Sequence, residues 1–191
     1  METQPKNVTF CGHCAGRGDV YVPVMNIYLL RHGIAMVRND LDVENDSERP
    51  LTPKGKRQLR QIAAAMKKMG LRFDLILSSP YLRAKQTAEI VAESLKLTKR
   101  LKYSDALAPD GSPKILIQQL TESKSAPENI LLVGHEPYLS CLISLLTTGG
   151  LDLMMDFKKG GLCKLEIEKL SCDRCATLAW LLTPRQMKLM L

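Results

Sequence analysis

The residues of this chain best suited to chemistry are His32 and His135, each standing where an apolar run ends, together with Arg31 and Arg83. A neutral imidazole can attack phosphorus and leave again, which divides one difficult displacement into two easier ones. What phosphoryl transfer then needs is positioning and stabilisation of the charge on the equatorial oxygens. Guanidinium groups meet that need better than ammonium groups, because a planar fork binds two oxygens at once and stays charged. Two imidazoles and two guanidiniums at one site therefore suffice to handle a phosphoryl group, with no cofactor and no metal expected. A single histidine after a strand is more often a hydrogen-bonded structural residue, and one arginine in a helix's first turn usually reaches solvent. The recurrence of the pattern at several strand ends decides for a site.

For these side chains to meet, three short strands must lie side by side. Ile27 to Leu30 is a near-continuous apolar run, as a strand buried on both faces requires, and it ends in Arg31-His32-Gly33. Asp74 to Leu77 is a second, followed by Ser78-Ser79-Pro80-Tyr81-Leu82-Arg83, a turn leading into a helix with Arg83 in its first turn. Ile130 to Val133 is a third and ends in Gly134-His135-Glu136-Pro137, where Pro137 suits the first position of the next helix. That helix start adds backbone N–H groups and a positive dipole end beside a bound phosphate. Alternating strands and helices predict an α/β fold, a mostly parallel sheet flanked by helices. Open sheets of this kind gather ligand sites at the carboxyl ends of their strands.

The other elements are read in the same way. Helical spacing puts Leu59, Ile62, Ala63 and Met66 on one core face, after Thr52-Pro53, which reads as an N-cap and first helical residue; Thr52 and Gly55 are taken as structural. A further helix is expected from Ile115 to Leu120. Leu162 to Leu170 and Ala176 to Leu182, joined by Ser171 to Cys175, predict an antiparallel hairpin at the sheet edge, and Pro184 to Leu191 a short closing helix. With 191 residues and 45% hydrophobic content, one domain is expected.

Four segments together resemble the histidine phosphatase superfamily, with its phosphoglycerate mutase-like fold. They are Leu-Leu-Arg-His-Gly at 29–33, Glu-Arg-Pro-Leu-Thr-Pro-Lys-Gly at 48–55, Ser-Ser-Pro-Tyr-Leu-Arg-Ala-Lys-Gln-Thr-Ala-Glu at 78–89 and Val-Gly-His-Glu-Pro at 133–137. The likeness is nearest to the small SixA-type phosphohistidine phosphatases and runs from Met25 to the C-terminus. It implies that His32 is the phosphorylated nucleophile, that Arg31 and Arg83 hold the phosphoryl oxygens, and that His135 completes the pocket. Larger members carry a glutamate, after the helix that follows the second arginine, to protonate the leaving oxygen. Here that stretch, Tyr103 to Gly111, has none. Asp105 and Asp110 are the substitutes it offers, and both also read as capping or turn residues beside Gly111 and Pro113.

The missing glutamate bears on the substrate. An alkoxide leaving group needs a proton because its conjugate acid is about as weak as water, pKa roughly 15.7, whereas that of imidazole lies at about 6.5. The expected reaction is hydrolysis of protein-borne phosphohistidine through a phosphohistidine on His32, with a phosphohistidine-bearing phosphotransfer protein as partner. Two other readings stand beside it: a phosphatase or mutase for small phosphate esters, and a phosphate-binding or zinc-stapled interaction module that turns nothing over.

Much of the formal net charge of +7 sits in Lys54, Lys56, Arg57, Arg60, Lys67 and Lys68, on a helix with no acidic residue before Gly70. Such a face is usually just solvated; here it also suits the steering of an acidic protein. Nucleic acid is not an expected partner, since aromatics make up 5% and no recognition motif accompanies the charge. No apolar stretch reaches spanning length and no signal-peptide order opens the chain, so no membrane association and a cytoplasmic location are expected. In that setting the six cysteines read as thiols. Cys11 and Cys14, and Cys172 and Cys175, nevertheless form two pairs whose spacing suits zinc, as a staple between the N-terminal extension and the hairpin turn. Residues 1–24 lie outside the resemblance and are expected to be dispensable.

Overall fold

The computed structural model describes residues 25–37, 45–122 and 127–191. Its strands are β1 Met25–Arg31, β2 Leu75–Ser78, β3 Leu101–Tyr103, β4 Asn129–Gly134, β5 Leu162–Ile167 and β6 Ala176–Leu182. They form one sheet in the order β3-β2-β4-β1-β5-β6. The first four run parallel, and β5 runs antiparallel to both β1 and β6. The helices are α1 Pro53–Lys68, α2 Leu82–Ser94, α3 Pro113–Thr121, α4 Tyr138–Thr148 and α5 Pro184–Lys188.

Strand side chains alternate between faces, so a strand covered on both sides must be apolar throughout. β1 does this: Ile27 and Leu29 pack with Leu116 and Leu120 of α3 and Leu139 and Leu142 of α4, while Tyr28 and Leu30 pack with Leu59 and Met66 of α1, Ala88 of α2 and Met187 of α5. The mixed α/β sheet with its antiparallel edge hairpin is as the sequence predicts. Some details differ. The hairpin's first strand stops at Ile167, before Glu168 and Lys169, and α3 begins at Pro113. β3 has no apolar run to announce it, because only Leu101 of its three residues is partly buried; it is a strand by virtue of pairing with Ile76 to Ser78.

Register carries the functional residues together. Arg31 pairs with Gly134 across β1 and β4, and Ser78 with Val133 across β2 and β4. One residue further on, His32 N–H donates to Gly134 O at 3.0 Å and Ser79 N–H to Val133 O at 3.0 Å. The start of α1 is tied to the loop leaving β1: Thr52 N–H donates to Ile34 O at 2.9 Å, and Thr52 Oγ1 caps the helix by accepting from Gly55 N–H at 2.9 Å. A Cβ on Gly55 would lie 2.3 Å from Ile34 O, so only glycine permits this approach.

Candidate active site

β1 and β4 are neighbours and end level, so the His32 and His135 rings face one another with centroids 5.1 Å apart. Both are buried, at 6% and 1% exposure. His32 Nδ1 lies 2.8 Å from Gly33 O. Donating to that carbonyl puts the ring proton on Nδ1 and leaves the lone pair on Nε2. Burial is the main reason the His32 pKa falls to about 3; the bond to Gly33 opposes this, and Arg83, Arg31 and Lys159 lower it further. The imidazole is thus neutral at physiological pH, which a nucleophile requires.

His135 Nε2 lies 2.8 Å from Ser79 Oγ, which accepts a bond from Tyr81 N–H at 3.3 Å. With the Ser79 hydroxyl donating to Nε2, the proton of neutral His135 is on Nδ1. Burial, then His32 and Arg83, lower its pKa to about 3. The Tyr81 ring packs against His135 at 5.2 Å and lies under the Arg83 guanidinium at 5.2 Å.

Both arginines are anchored by their terminal nitrogens. Arg31 Nη1 donates to Phe157 O at 2.6 Å. Arg83 Nη1 donates to Asp46 O at 2.7 Å, and its Nη2 pairs with Asp46 Oδ2 at 2.8 Å. Arg31 Nε, Arg83 Nε and His135 Nδ1 are buried and have no hydrogen-bond partner among the described residues. An unmet buried polar group costs about 1–3 kcal/mol, more if charged. Three at one site create a demand that an oxyanion satisfies.

The four predicted residues are therefore brought together, and the sequence reading missed the residues that hold them. Asp46 and the Phe157 carbonyl anchor the arginines, and Ser79 orients His135. Thr87 Oγ1 donates to Arg83 O at 2.6 Å and accepts from Gly33 N–H at 3.1 Å, binding α2 to the loop that carries His32. Asp46 lies beside the recognisable Glu48-to-Gly55 segment, an acid three residues from Arg49, and that was its one available signal. Partial burial raises the Asp46 pKa, but Arg83 and Arg49 outweigh this and hold it below the usual carboxylate range.

Asp105 and Asp110 are exposed and line a cleft of about 1110 Å³ that adjoins the site at Tyr81. Among the described residues, neither side chain bonds a site residue. The expected role of the α4 amino end needs correction: α4 begins at Tyr138, with Pro137 one position before it, and Glu136 accepts from Ser140 N–H at 3.1 Å. A carboxylate already occupies that helix end. Of the four cysteines read as a zinc staple, Cys11 and Cys14 lie outside the described residues, while Cys172 and Cys175 are free thiols. Among the described residues no cluster of three or more His, Cys, Asp or Glu is arranged to hold a metal, and no helix is long and apolar enough to cross a membrane.

Known proteins resemble this chain in sequence and in fold. The family model of the histidine phosphatase superfamily, branch 1, matches residues 27–108. The chain is 33% identical over 128 residues to the phosphohistidine phosphatase SixA of Escherichia coli K12, covering 65% of this chain and 76% of that one. It is 37% identical over 142 residues to an uncharacterized protein of Picosynechococcus, covering 74% and 84% of the two chains. The structure of SixA complexed with tungstate superposes with a TM-score of 0.71 at 27% identity, over 84% of this chain and 98% of the other. The chain, with its SixA-like fold, belongs to the histidine phosphatase superfamily.

Proposed function

We propose that this phosphatase hydrolyses phosphohistidine borne on another protein, through a covalent phosphohistidine on His32 and without a metal. The observation that carries the reading is the neutral, buried His32, its Nε2 lone pair free, beside the unpartnered donors of Arg31, Arg83 and His135. In the first step Nε2 bonds to phosphorus as the P–N bond of a substrate phosphoimidazole, protonated on its other ring nitrogen, breaks; the electron pair leaves on a neutral imidazole, and His32 keeps its Nδ1 proton. Water then attacks phosphorus, the bond to His32 breaks with its electron pair returning to Nε2, and both water protons leave with the phosphate as dihydrogen phosphate. Arg31, Arg83 and His135 Nδ1–H stabilise the equatorial oxygens in both steps.

The preference for phosphohistidine over esters is supported by the state of the acids. Asp46 is kept ionised by two arginines and so does not donate a proton, and Asp105 and Asp110 stand apart on the cleft. An imidazole leaving group tolerates this far better than an alkoxide does. The names of the SixA relatives, a phosphohistidine phosphatase and a protein histidine phosphatase, point the same way. Rapid quenching with labelled substrate should trap a phosphoenzyme that is stable to alkali and lost in acid, absent from His32→Ala and formed fully in a chelator. kcat/KM should be far higher for a phosphohistidine protein than for phosphoglycerates or sugar phosphates, and little changed by Asp105→Asn or Asp110→Asn. An acid-stable phosphoenzyme, or better turnover of small esters, would overturn the reading.

A further inference from the structure

The groove between α1 and α5 carries charge that the reaction at His32 does not use. Lys54 and Arg57 on one side and Arg185 and Lys188 on the other line a groove of about 400 Å³. All four are exposed, and among the described residues none enters a salt bridge. Neither helix contains an acidic residue.

Two features separate this cluster from an ordinary solvated face. Lys54 stands in the first turn of α1, at the positive end of the helix dipole, and Arg57 repels it across an i,i+3 spacing. Lys67 and Lys68, by contrast, complement the dipole at the other end, and Lys68 Nζ donates to Leu191 O at 2.7 Å. Within the predicted basic run, Lys67 and Lys68 thus have a structural use, whereas Lys54 and Arg57 oppose their own helix or each other. An anion in the groove relieves that opposition.

The groove also abuts the active site. A Cβ on Gly160 would meet Ile62 at 2.9 Å, Pro184 at 3.5 Å and Gln58 at 3.6 Å, all lining residues of the groove. The Gly160 N–H donates to Arg31 O at 3.0 Å and His32 O at 3.2 Å. One residue thus separates the groove from the backbone of the nucleophile, and the adjacent Lys159 is one of the cations whose field reaches His32.

We propose that this groove docks an acidic segment of the protein that carries the phosphohistidine; the inference rests on the substrate class proposed above. Binding of a nucleic acid strand is the weaker fit, because no aromatic side chain lines the groove for bases to stack on.

The test uses two synthetic peptides with one phosphohistidine each, one followed by a run of about six glutamates and the other by serines. In the full chain at low salt, kcat/KM should favour the glutamate peptide by roughly tenfold or more. Lys54→Glu/Arg57→Glu and, separately, Arg185→Glu/Lys188→Glu should bring the ratio to near one or below, through KM, with hydrolysis of phosphoramidate unchanged. Salt at about 1 M, where the Debye length is about 3 Å, should do the same to wild type. A ratio near one in wild type, or one that survives charge reversal, would overturn the docking proposal and leave the substrate assignment standing. If neither peptide is hydrolysed, the substrate assignment fails, and fluorescence anisotropy of the unphosphorylated peptides still decides the groove. Tighter binding of the glutamate peptide, lost on reversal, supports docking; equal binding, or preferred binding of a single-stranded oligonucleotide, overturns it.

Discussion

Arg31 and Arg83 are anchored by different kinds of partner, and this separates their mutational behaviour. Arg31 leans on a main-chain carbonyl that no substitution removes, whereas half of the Arg83 anchor is the Asp46 side chain. Removing either arginine should cost on the order of 10²-fold or more in kcat, as loss of a preorganised oxyanion donor does. Near-wild-type turnover of Arg31→Ala or Arg83→Ala on a phosphohistidine peptide would exclude that arginine from the pocket. Asp46 is a positioning residue, so Asp46→Ala should lower kcat by about ten- to a hundredfold, as a small misplacement of a catalytic group does. Asp46→Asn keeps an acceptor for Arg83 and should recover most of that loss. Equal losses in the two variants would show that the charge of Asp46, rather than its position, is what matters.

Among the elements, α1 is the one whose entry is most tightly specified. Its N-cap, its first-turn glycine and the carbonyl of Ile34 form one joint between the helix and the loop that follows His32. Gly55→Ala forces backbone to move on one side of that joint, an overpacking that typically costs about 1–3 kcal/mol. Urea unfolding should give a loss in that range, with a fall in kcat because the moved loop carries His32. A variant as stable and active as wild type would mean that α1 shifts without cost and does not position the site. Proline after a capping threonine made this helix start readable, whereas β3 had only a partner strand to define it.

For the whole molecule, the two buried imidazoles tie stability to pH. Both titrate at about 3 in the folded chain, against about 6.5 when unfolded. Between those values the unfolded chain binds more protons, so this contribution to stability is complete above pH 6.5 and is lost as pH falls towards 3. The slope is up to about 1.4 kcal/mol per pH unit for each imidazole. Urea midpoints between about pH 4 and 6 should show it, and His32→Asn should remove one imidazole's share. An unchanged slope would mean that His32 takes up its proton in the folded state. Residues 1–24 bear on the molecule in a different way: a chain beginning at Met25 keeps the sheet and all four site residues, and should fold and turn over substrate as the full chain does. Near-stoichiometric zinc in the full chain, lost on Cys172→Ser, would instead identify the extension as a stapled element.

Arg31, His32, Arg83 and His135, and the strands other than β3, are legible in the chain because each lies in or directly after a contiguous pattern. Apolar runs mark β1, β2 and β4, each with its polar residues directly at its end, and prolines open α1 and α5. How those side chains are held depends instead on contacts between distant segments. Asp46 on Arg83, Ser79 on His135, Phe157 O on Arg31 and the meeting of α1 with α5 join residues distant in the chain. None follows from a local period or a capping signal. They arise because both faces of the sheet must be buried and its register satisfied, and that collective requirement, which no single segment encodes, sets which loop returns over which strand end.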